Sequence, residues 1–278
     1  MSEESTLVDL PTGTLMKGKR GLIMGVANDR SLAWGIARAV AAQGAELAFS
    51  YQGDALEKRV RPLAESLGAS TLLPCDVADD ASIDACFGAL EKSWGKLDFV
   101  VHAIGYANKD YLRGRYLDTP RDVFLQALDI SCYSFAAVAR RAVALMPNGG
   151  SLLTLSYLGA ERVTPHYNVM GVAKAALEAS VRYMAVDVGG QGIRVNAISA
   201  GPIKTLAASG IGDFRYILKW NQLNSPLKRN VSIEEVGGAG LYLCSDLSAG
   251  VTGEVHHVDS GYHIVGMKAV DAPDIATQ

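Results

Sequence analysis

Leu152-Leu153-Thr154-Leu155-Ser156-Tyr157-Leu158-Gly159-Ala160-Glu161-Arg162-Val163-Thr164-Pro165-His166-Tyr167-Asn168-Val169-Met170-Gly171-Val172-Ala173-Lys174 decides how the rest of the chain is read. Leu152 to Leu155 is an apolar strand. A helix rich in Ala and Leu, from Tyr167 to about Val188, runs out of the stretch and ends near Gly189-Gly190. With Tyr167 in the first turn, Lys174 falls two turns further along. Seven steps of about 100° return to nearly the same face, about 10 Å along the axis. A phenol and an ammonium then share one helical face, spaced to touch different parts of one extended ligand.

Outward from that strand–loop–helix unit, the same alternation repeats. Gly21 to Met24, Leu47 to Phe49, Ser70 to Leu73, Leu97 to Val101, Arg194 to Ile198 and Glu254 to Val258 read as strands. Helical patterns stand between them. One carries Leu32, Ile36, Ala39 and Val40 and stops at Gly44. A second starts at Asp54, carries Leu56, Val60, Leu63 and Leu67, and is expected to kink at Pro62. A third is capped by Asp79. A long one spans about Arg121 to Leu145, and others span about Leu206 to Asn221 and Ile233 to Cys244. Short strands apolar on both faces, separated by amphipathic helices, predict an α/β fold. It is a single doubly wound Rossmann-type domain, a parallel seven-stranded sheet with helices on both faces. A ligand is expected outside the carboxyl ends of the strands, at the switch point.

The composition sets bounds. Among 278 residues, 49% are hydrophobic and 20% charged, as in a soluble globular protein. A net charge of −3 offers no basic stripe for nucleic acid. The scattered cysteines Cys75, Cys86, Cys132 and Cys244 form no Cys-x-x-Cys pair and read as reduced thiols of a cytoplasmic protein. No signal peptide and no membrane span are expected, since no apolar run approaches 18 residues. Residues 1–16 read as a flexible arm, 17–268 as the domain and 269–278 as a flexible tail. His166, His256, His257 and His263 lack metal-ligand spacing and receive no role, and His102 reads as structural; no metal is expected.

After the first strand comes Gly25-Val26-Ala27-Asn28-Asp29-Arg30-Ser31-Leu32. A glycine at a strand end before a helix N-terminus suits a pyrophosphate, although the spacing is not Gly-x-Gly-x-x-Gly. The second strand ends at Ser50-Tyr51-Gln52-Gly53-Asp54. Gln52 can bond a ribose hydroxyl, Asp54 reads as a helix cap, and no Arg or Lys selects a 2′-phosphate, which favours NADH over NADPH. The third ends at Cys75-Asp76-Val77, where Asp76 is either an acceptor for the adenine amino group or an ordinary turn residue. The fourth ends at His102-Ala103-Ile104-Gly105-Tyr106-Ala107.

Together with Asn196-Ala197-Ile198-Ser199-Ala200-Gly201-Pro202-Ile203-Lys204-Thr205, these features resemble the short-chain dehydrogenase/reductase superfamily. Ordinary members place Tyr and Lys four residues apart, but Met170 stands four before Lys174. A Tyr167-x6-Lys174 pair with Tyr157 upstream is similar to the bacterial enoyl-[acyl-carrier-protein] reductases, NADH-dependent and triclosan-sensitive, of type II fatty acid biosynthesis. Ser156-Tyr157-Leu158-Gly159-Ala160-Glu161-Arg162, Tyr167-Asn168-Val169-Met170-Gly171 and Leu206-Ala207-Ala208-Ser209-Gly210-Ile211 carry the same resemblance.

The resemblance implies reduction of a trans-2-enoyl chain on acyl carrier protein, the last step of the elongation cycle, by a cytoplasmic homotetramer. It implies NAD contacts at Gly25, Ser31, Leu32, Gln52, Asp76, Val77, Ile104, Lys174, Ile203, Thr205 and Leu206. Substrate contacts fall on Ala107, Tyr157 and Tyr167, and the catalytic set is Tyr157, Tyr167 and Lys174. Tyr167 is expected to donate to the enolate oxygen and Lys174 to the nicotinamide ribose; Tyr157 either positions the thioester or relays a proton. Residues 205–222 are expected to form the substrate lid, with Leu206, Ala207, Ile211, Phe214, Ile217 and Leu218 along an apolar slot and hinges at Gly210 and Gly212. Arg215 and Lys219, with Lys228 and Arg229, are the basic candidates for carrier docking. Diphenyl ethers such as triclosan are implied as inhibitors. A carbonyl reductase, opposed by Met170, and a non-catalytic nucleotide sensor are the competing readings.

Overall fold

Seven short strands line up side by side in a computed structural model that describes residues 10–206 and 212–275. They are β1 (Arg20–Met24), β2 (Glu46–Tyr51), β3 (Thr71–Pro74), β4 (Phe99–His102), β5 (Gly150–Ser156), β6 (Ile193–Ala200) and β7 (Val255–Val258). Their order is β3-β2-β1-β4-β5-β6-β7, and every pairing is parallel. The expected sheet is therefore present, and its switch point falls between β1 and β4, where the chain reverses its direction of winding.

Helices cover both faces because the strand residues are apolar on both. On one side α3 (Asp80–Trp94), α5 (Ser134–Ala144) and α6 (Asn168–Gly189) bury Ile83, Phe135 and Leu177 against Leu22, Val100 and Leu152. On the other side α1 (Leu32–Ala42), α2 (Gly53–Ser66) and α8 (Ile233–Cys244) bury Ile36, Val60 and Val236 against Ile23, Phe49 and Leu153. Asp79 caps α3 as expected, accepting from the Ala81 N–H at 3.0 Å.

The long helix expected over 121–145 is built in three parts. α4 (Arg121–Leu128) passes through a π-turn, Asp129–Tyr133, into α5. At 24 residues with mean hydropathy 1.2 it is long and apolar enough to cross a membrane by length and composition alone. Here Phe135, Val138 and Ala142 lie against the sheet, while Arg140 and Arg141 are carried along its flank.

Four local expectations change. α2 begins at Gly53 with Gln52 as its N-cap, so Asp54 sits in the first turn and is not the cap. The last part of the segment expected as an arm joins the body. The Gly13 and Met16 N–H groups donate to the Ala42 and Gln43 carbonyls at 3.0 and 2.9 Å, and Met16 is fully buried. Those carbonyls end α1 and have no partner within the helix, which gives the segment its place. At the other end, the Ala269 N–H donates to Asn224 Oδ1 at 2.8 Å, so the segment after 268 also touches the body. The helix expected over 206–221 is α7 (Phe214–Asn224). Ala207, Gly210 and Ile211 lie outside the described residues.

Candidate active site

At the switch point Gly25 has φ +93°, and a Cβ there would stand 2.1 Å from the Ala103 carbonyl oxygen. Only glycine lets β1 end against β4 in this way. The loop that follows is tied by Ser31, whose Oγ accepts from the Ala27 and Asn28 N–H groups at 3.0 and 3.2 Å. The N-terminus of α1 then opens into a cavity of about 760 Å³. Every site residue expected from the sequence lines this one cavity, from Gln52, Asp76 and Val77 at one end to Ala107, Tyr157 and Tyr167 at the other.

Asp76 makes a turn contact and also faces the cavity. Its Oδ1 accepts from the Ala78 N–H at 3.0 Å, a turn contact, while its Oδ2 accepts from the Gln52 amide nitrogen at 3.0 Å on the cavity wall. Among the described residues around this end, none is Lys or Arg.

At the far end α6 starts one residue after Tyr167, which occupies its N-cap rather than its first turn. His166 and Asn168, on either side, take φ of 60° and 36°, a left-handed backbone that places Tyr167 between two strained residues. Asn168 is held by donating to the Tyr111 carbonyl at 3.1 Å, and His166 lies 2.9 Å from Asp213 at the start of α7. Gly159 passes so close beneath that a Cβ there would meet the Tyr167 ring at 2.3 Å. Tyr157 and Tyr167 meet edge to face, with centroids 5.0 Å apart at 66°. Burial pushes the Tyr157 phenol up to about 12 and the Tyr167 phenol higher still. Both are neutral hydrogen-bond donors at physiological pH.

Lys174 lies on the buried stripe of α6 with Ala173, Leu177 and Val181. Its Nζ donates to the Leu155 carbonyl at 2.8 Å, which fixes the ammonium behind the end of β5. Burial lowers its pKa to about 8, with Cys132 and Glu178 opposing the shift. The ammonium therefore prevails at pH 7 and gives way to the amine above about 8. In the free protein kcat/KM for a dinucleotide that needs this charge should fall as pH rises through about 8. A flat profile from pH 7 to 9.5 would contradict the assignment.

His102 is structural, as expected. It is fully buried, 3.2 Å from Thr154 Oγ1 and 2.9 Å from Ser134 Oγ, and burial followed by the Lys174 charge lowers its pKa to about 3. No group of three or more metal-binding side chains occurs among the described residues. Of the expected lid residues, Leu206 and Phe214 line the cavity and Ile217 lies on the buried face of α7.

Some residues in and behind the cavity wall carried no sequence signal. Ser131, on the π-turn, accepts from the Tyr106 N–H at 2.8 Å and donates to its carbonyl at 2.9 Å, which fixes the loop before Ala107. Gln126, equally unmarked, joins Met170 and the expected Phe214 in lining the cavity. Ser156 lines the wall and donates to the buried Glu178 carboxyl.

With that geometry in hand, similarity to known proteins is specific. The family profile described as Enoyl-(Acyl carrier protein) reductase matches residues 25–263. Enoyl-[acyl-carrier-protein] reductase [NADH] 1 of Rhizobium meliloti is 74% identical over 262 residues, covering 94% of this chain and 96% of its own. The crystal structure of the Anaplasma phagocytophilum reductase in complex with NAD superposes with a TM-score of 0.91 at 61% identity, covering 96% of this chain and 100% of that one. The Bacillus cereus enoyl-acyl carrier protein reductase with NADP+ and an indole naphthyridinone gives 0.90 at 55% identity, covering 91% and 99%.

Proposed function

The chain belongs to the enoyl-(acyl carrier protein) reductase family, and from that premise we infer how its cavity works. The protein is an NADH-dependent enoyl-[acyl-carrier-protein] reductase. It saturates the trans-2 double bond of an enoyl thioester in the last step of fatty acid elongation. The observation that carries the mechanism is the arrangement of one wall, with Tyr167, Met170 and Lys174 in the cavity and no acid at the Met170 position.

NADH bound along this cavity supplies a hydride from C4 of its nicotinamide. The cavity fits such a group. The N-terminus of α1 and the Gly25 loop offer N–H groups to a pyrophosphate, Ser31 holds that loop, and Leu32 and Val77 flank it. Gln52 and Asp76 present an amide and a carboxylate to an adenosine and offer no cation to a 2′-phosphate. Ile104, Ile203, Thr205 and Leu206 would hold the nicotinamide half, and Lys174 would donate to the ribose hydroxyls. Hydride addition at the β-carbon drives negative charge onto the thioester oxygen. Tyr167 donates to that oxygen and so favours the transition state over the ground state. Tyr157 holds the Tyr167 ring and, with Ala107, positions the thioester. A phenol raised by burial suits this task, since an enolate needs a hydrogen bond and not a transferred proton at that step.

The acyl chain arrives on acyl carrier protein and extends past Met170 and Phe214; residues 205–222 are the proposed lid, of which 207–211 lie outside the described residues. Arg215 and Lys219 are exposed on α7 and are the proposed carrier contacts. Lys228 and Arg229 are engaged by Asp271 and Glu235. Diphenyl ethers such as triclosan are proposed for the slot beside Tyr157. The enzyme is proposed to be a cytoplasmic homotetramer. Leu125, Tyr133, Tyr183 and Val186 are exposed along the outer helices and offer apolar surface for that assembly; a monomer in sedimentation would refute it.

The function is tested by NADH oxidation at 340 nm with trans-2-enoyl against β-ketoacyl thioesters. Turnover of the enoyl substrate is expected. A ketoacyl signal without it would favour the carbonyl reductase reading.

A further inference from the structure

Behind the wall of Tyr167 and Lys174 lies a buried carboxyl group that the mechanism above leaves without a task. Glu178 follows Lys174 by one turn on α6 and is 6% exposed. Its Oε1 accepts a hydrogen bond from Ser156 Oγ at the end of β5, and Ser156 lines the cavity beside Tyr157, Tyr167 and Lys174. The Lys174 ammonium is turned to the Leu155 carbonyl and makes no ion pair with Glu178.

Charged groups that reach the surface stand near Glu178. Glu161, His257 and Arg182 all act on its charge. His257 Nε2 is 2.8 Å from Glu161 Oε1, and the Glu161 side chain is 41% exposed. The His257 ring stacks on His263 at 4.0 Å, and His263 Nδ1 is held by Asp259 at 3.1 Å. An imidazole–carboxylate pair that is partly exposed thus stands near the carboxyl, and the cavity reaches it through a single hydroxyl.

We propose that Glu178, acting through Ser156, is the relay that returns a proton from solvent to the Tyr157–Tyr167–Lys174 wall in each turnover. The proposal rests on the enoyl reductase reading. Reduction adds a hydride at the β-carbon and a proton at the α-carbon, so the site takes up one proton from water per cycle. When the Lys174 ammonium has supplied the proton for the α-carbon, the Ser156 hydroxyl turns from Glu178 toward the cavity; a protonated Glu178 carboxyl passes its proton to Ser156 Oγ while the Ser156 hydroxyl proton moves to the Lys174 amine. The Glu178 carboxylate is then reprotonated from water past the His257–Glu161 pair. One bond to hydrogen breaks for each that forms, and no redox partner beyond the hydride donor is involved.

Burial raises the Glu178 pKa from its ordinary range and the Glu161 charge adds to that, against the Ser156 hydrogen bond, His257 and Arg182. A carboxyl so placed keeps a proton at higher pH than one on the surface. The charged and titratable groups around it are Lys174 and Arg182 on α6, Tyr167 at the start of that helix, Glu161 before it and His257 on β7. Glu178 touches no reacting atom and is a positioning residue.

Glu178→Gln keeps the shape and the Ser156 contact but cannot shuttle a proton. With a trans-2-enoyl thioester its kcat should fall about 10–100-fold, the lower part of the range for proton-transfer groups. Its solvent deuterium isotope effect should rise, and the high-pH limb of its kcat profile should move. NADH affinity by fluorescence titration should stay at the wild-type value. Ser156→Ala severs the same link from the cavity side and should give the same pattern, so it decides the matter if the Gln variant does not fold. Wild-type kcat and isotope effect in a folded variant would overturn the proposal. A fall in kcat matched by weaker NADH binding, with the isotope effect unchanged, would also overturn it by showing a packing role. Absence of enoyl turnover in the wild type would instead remove the functional reading itself.

Discussion

Tyr167→Phe lowers kcat for a trans-2-enoyl thioester by about 10²–10³-fold, the loss typical of one oxyanion donor, while NADH affinity stays unchanged. The expectation follows from placement. The Tyr167 ring is fixed by the Gly159 backbone below and the Tyr157 edge beside it, contacts that a phenylalanine ring reproduces. Only the hydroxyl is lost, and with it the donor to the enolate oxygen. Because the donor acts on charge that develops in the transition state, kcat and kcat/KM should fall together. The check is steady-state kinetics at saturating NADH with a binding titration alongside. Retention of full kcat would move the oxyanion role to another group. Tyr157→Phe should cost less, since Tyr157 acts on the thioester position and on its neighbour's ring.

Lys174→Met separates cofactor binding from chemistry in the opposite sense. The side chain is 8% exposed, its burial lowers the ammonium pKa to about 8, and its hydrogen bond reaches the Leu155 carbonyl. Loss of a charged donor to a ribose is worth about 1.5–3 kcal/mol, so the NADH dissociation constant should rise about 10–150-fold. The fold should survive. With the folded pKa below the ordinary 10.5, the unfolded chain binds more protons between about pH 8 and 10.5. The wild type therefore gains stability from this group as pH rises through that window and carries its full burial cost at pH 7. Methionine removes that cost, while the Leu155 carbonyl loses its donor. The stability rise between pH 8 and 10.5 should disappear in the variant. Isothermal titration and thermal unfolding across pH test both parts, and undiminished NADH affinity would contradict the ribose assignment.

The alternation of strand and helix was legible because each strand is apolar on both faces and each helix on one, a pattern that only a covered parallel sheet satisfies. α8 was read over the same residues that form it, Ile233–Cys244. The cavity walls were legible where a motif stands at a strand end, as at Gly25 and Asp76, or at a helix start, as at Tyr167. Other parts had no local mark. The π-turn at Asp129–Tyr133 adds one residue to a helix without disturbing its apolar spacing, so neither the turn nor Ser131 was visible. Met16 belongs to a polar segment and is buried only because the end of α1 offers unpaired carbonyls. The Gln52–Asp76 contact joins residues brought together by strand pairing. Glu178 reads as an ordinary polar residue of a long helix until the stripe of α6 that faces the sheet is seen to include both it and Lys174.

The central claim is that the seven-residue spacing from Tyr167 to Lys174 serves enolate rather than alkoxide chemistry. Reduction of a trans-2-enoyl thioester with NADH deuterated at the transferred C4 position, in ordinary water, tests it most directly. The product should carry one deuterium on the β-carbon and hydrogen from water on the α-carbon, by NMR or mass spectrometry. Deuterium at the α-carbon, or at the carbonyl-derived carbon of a β-ketoacyl substrate with the enoyl thioester left intact, would contradict it.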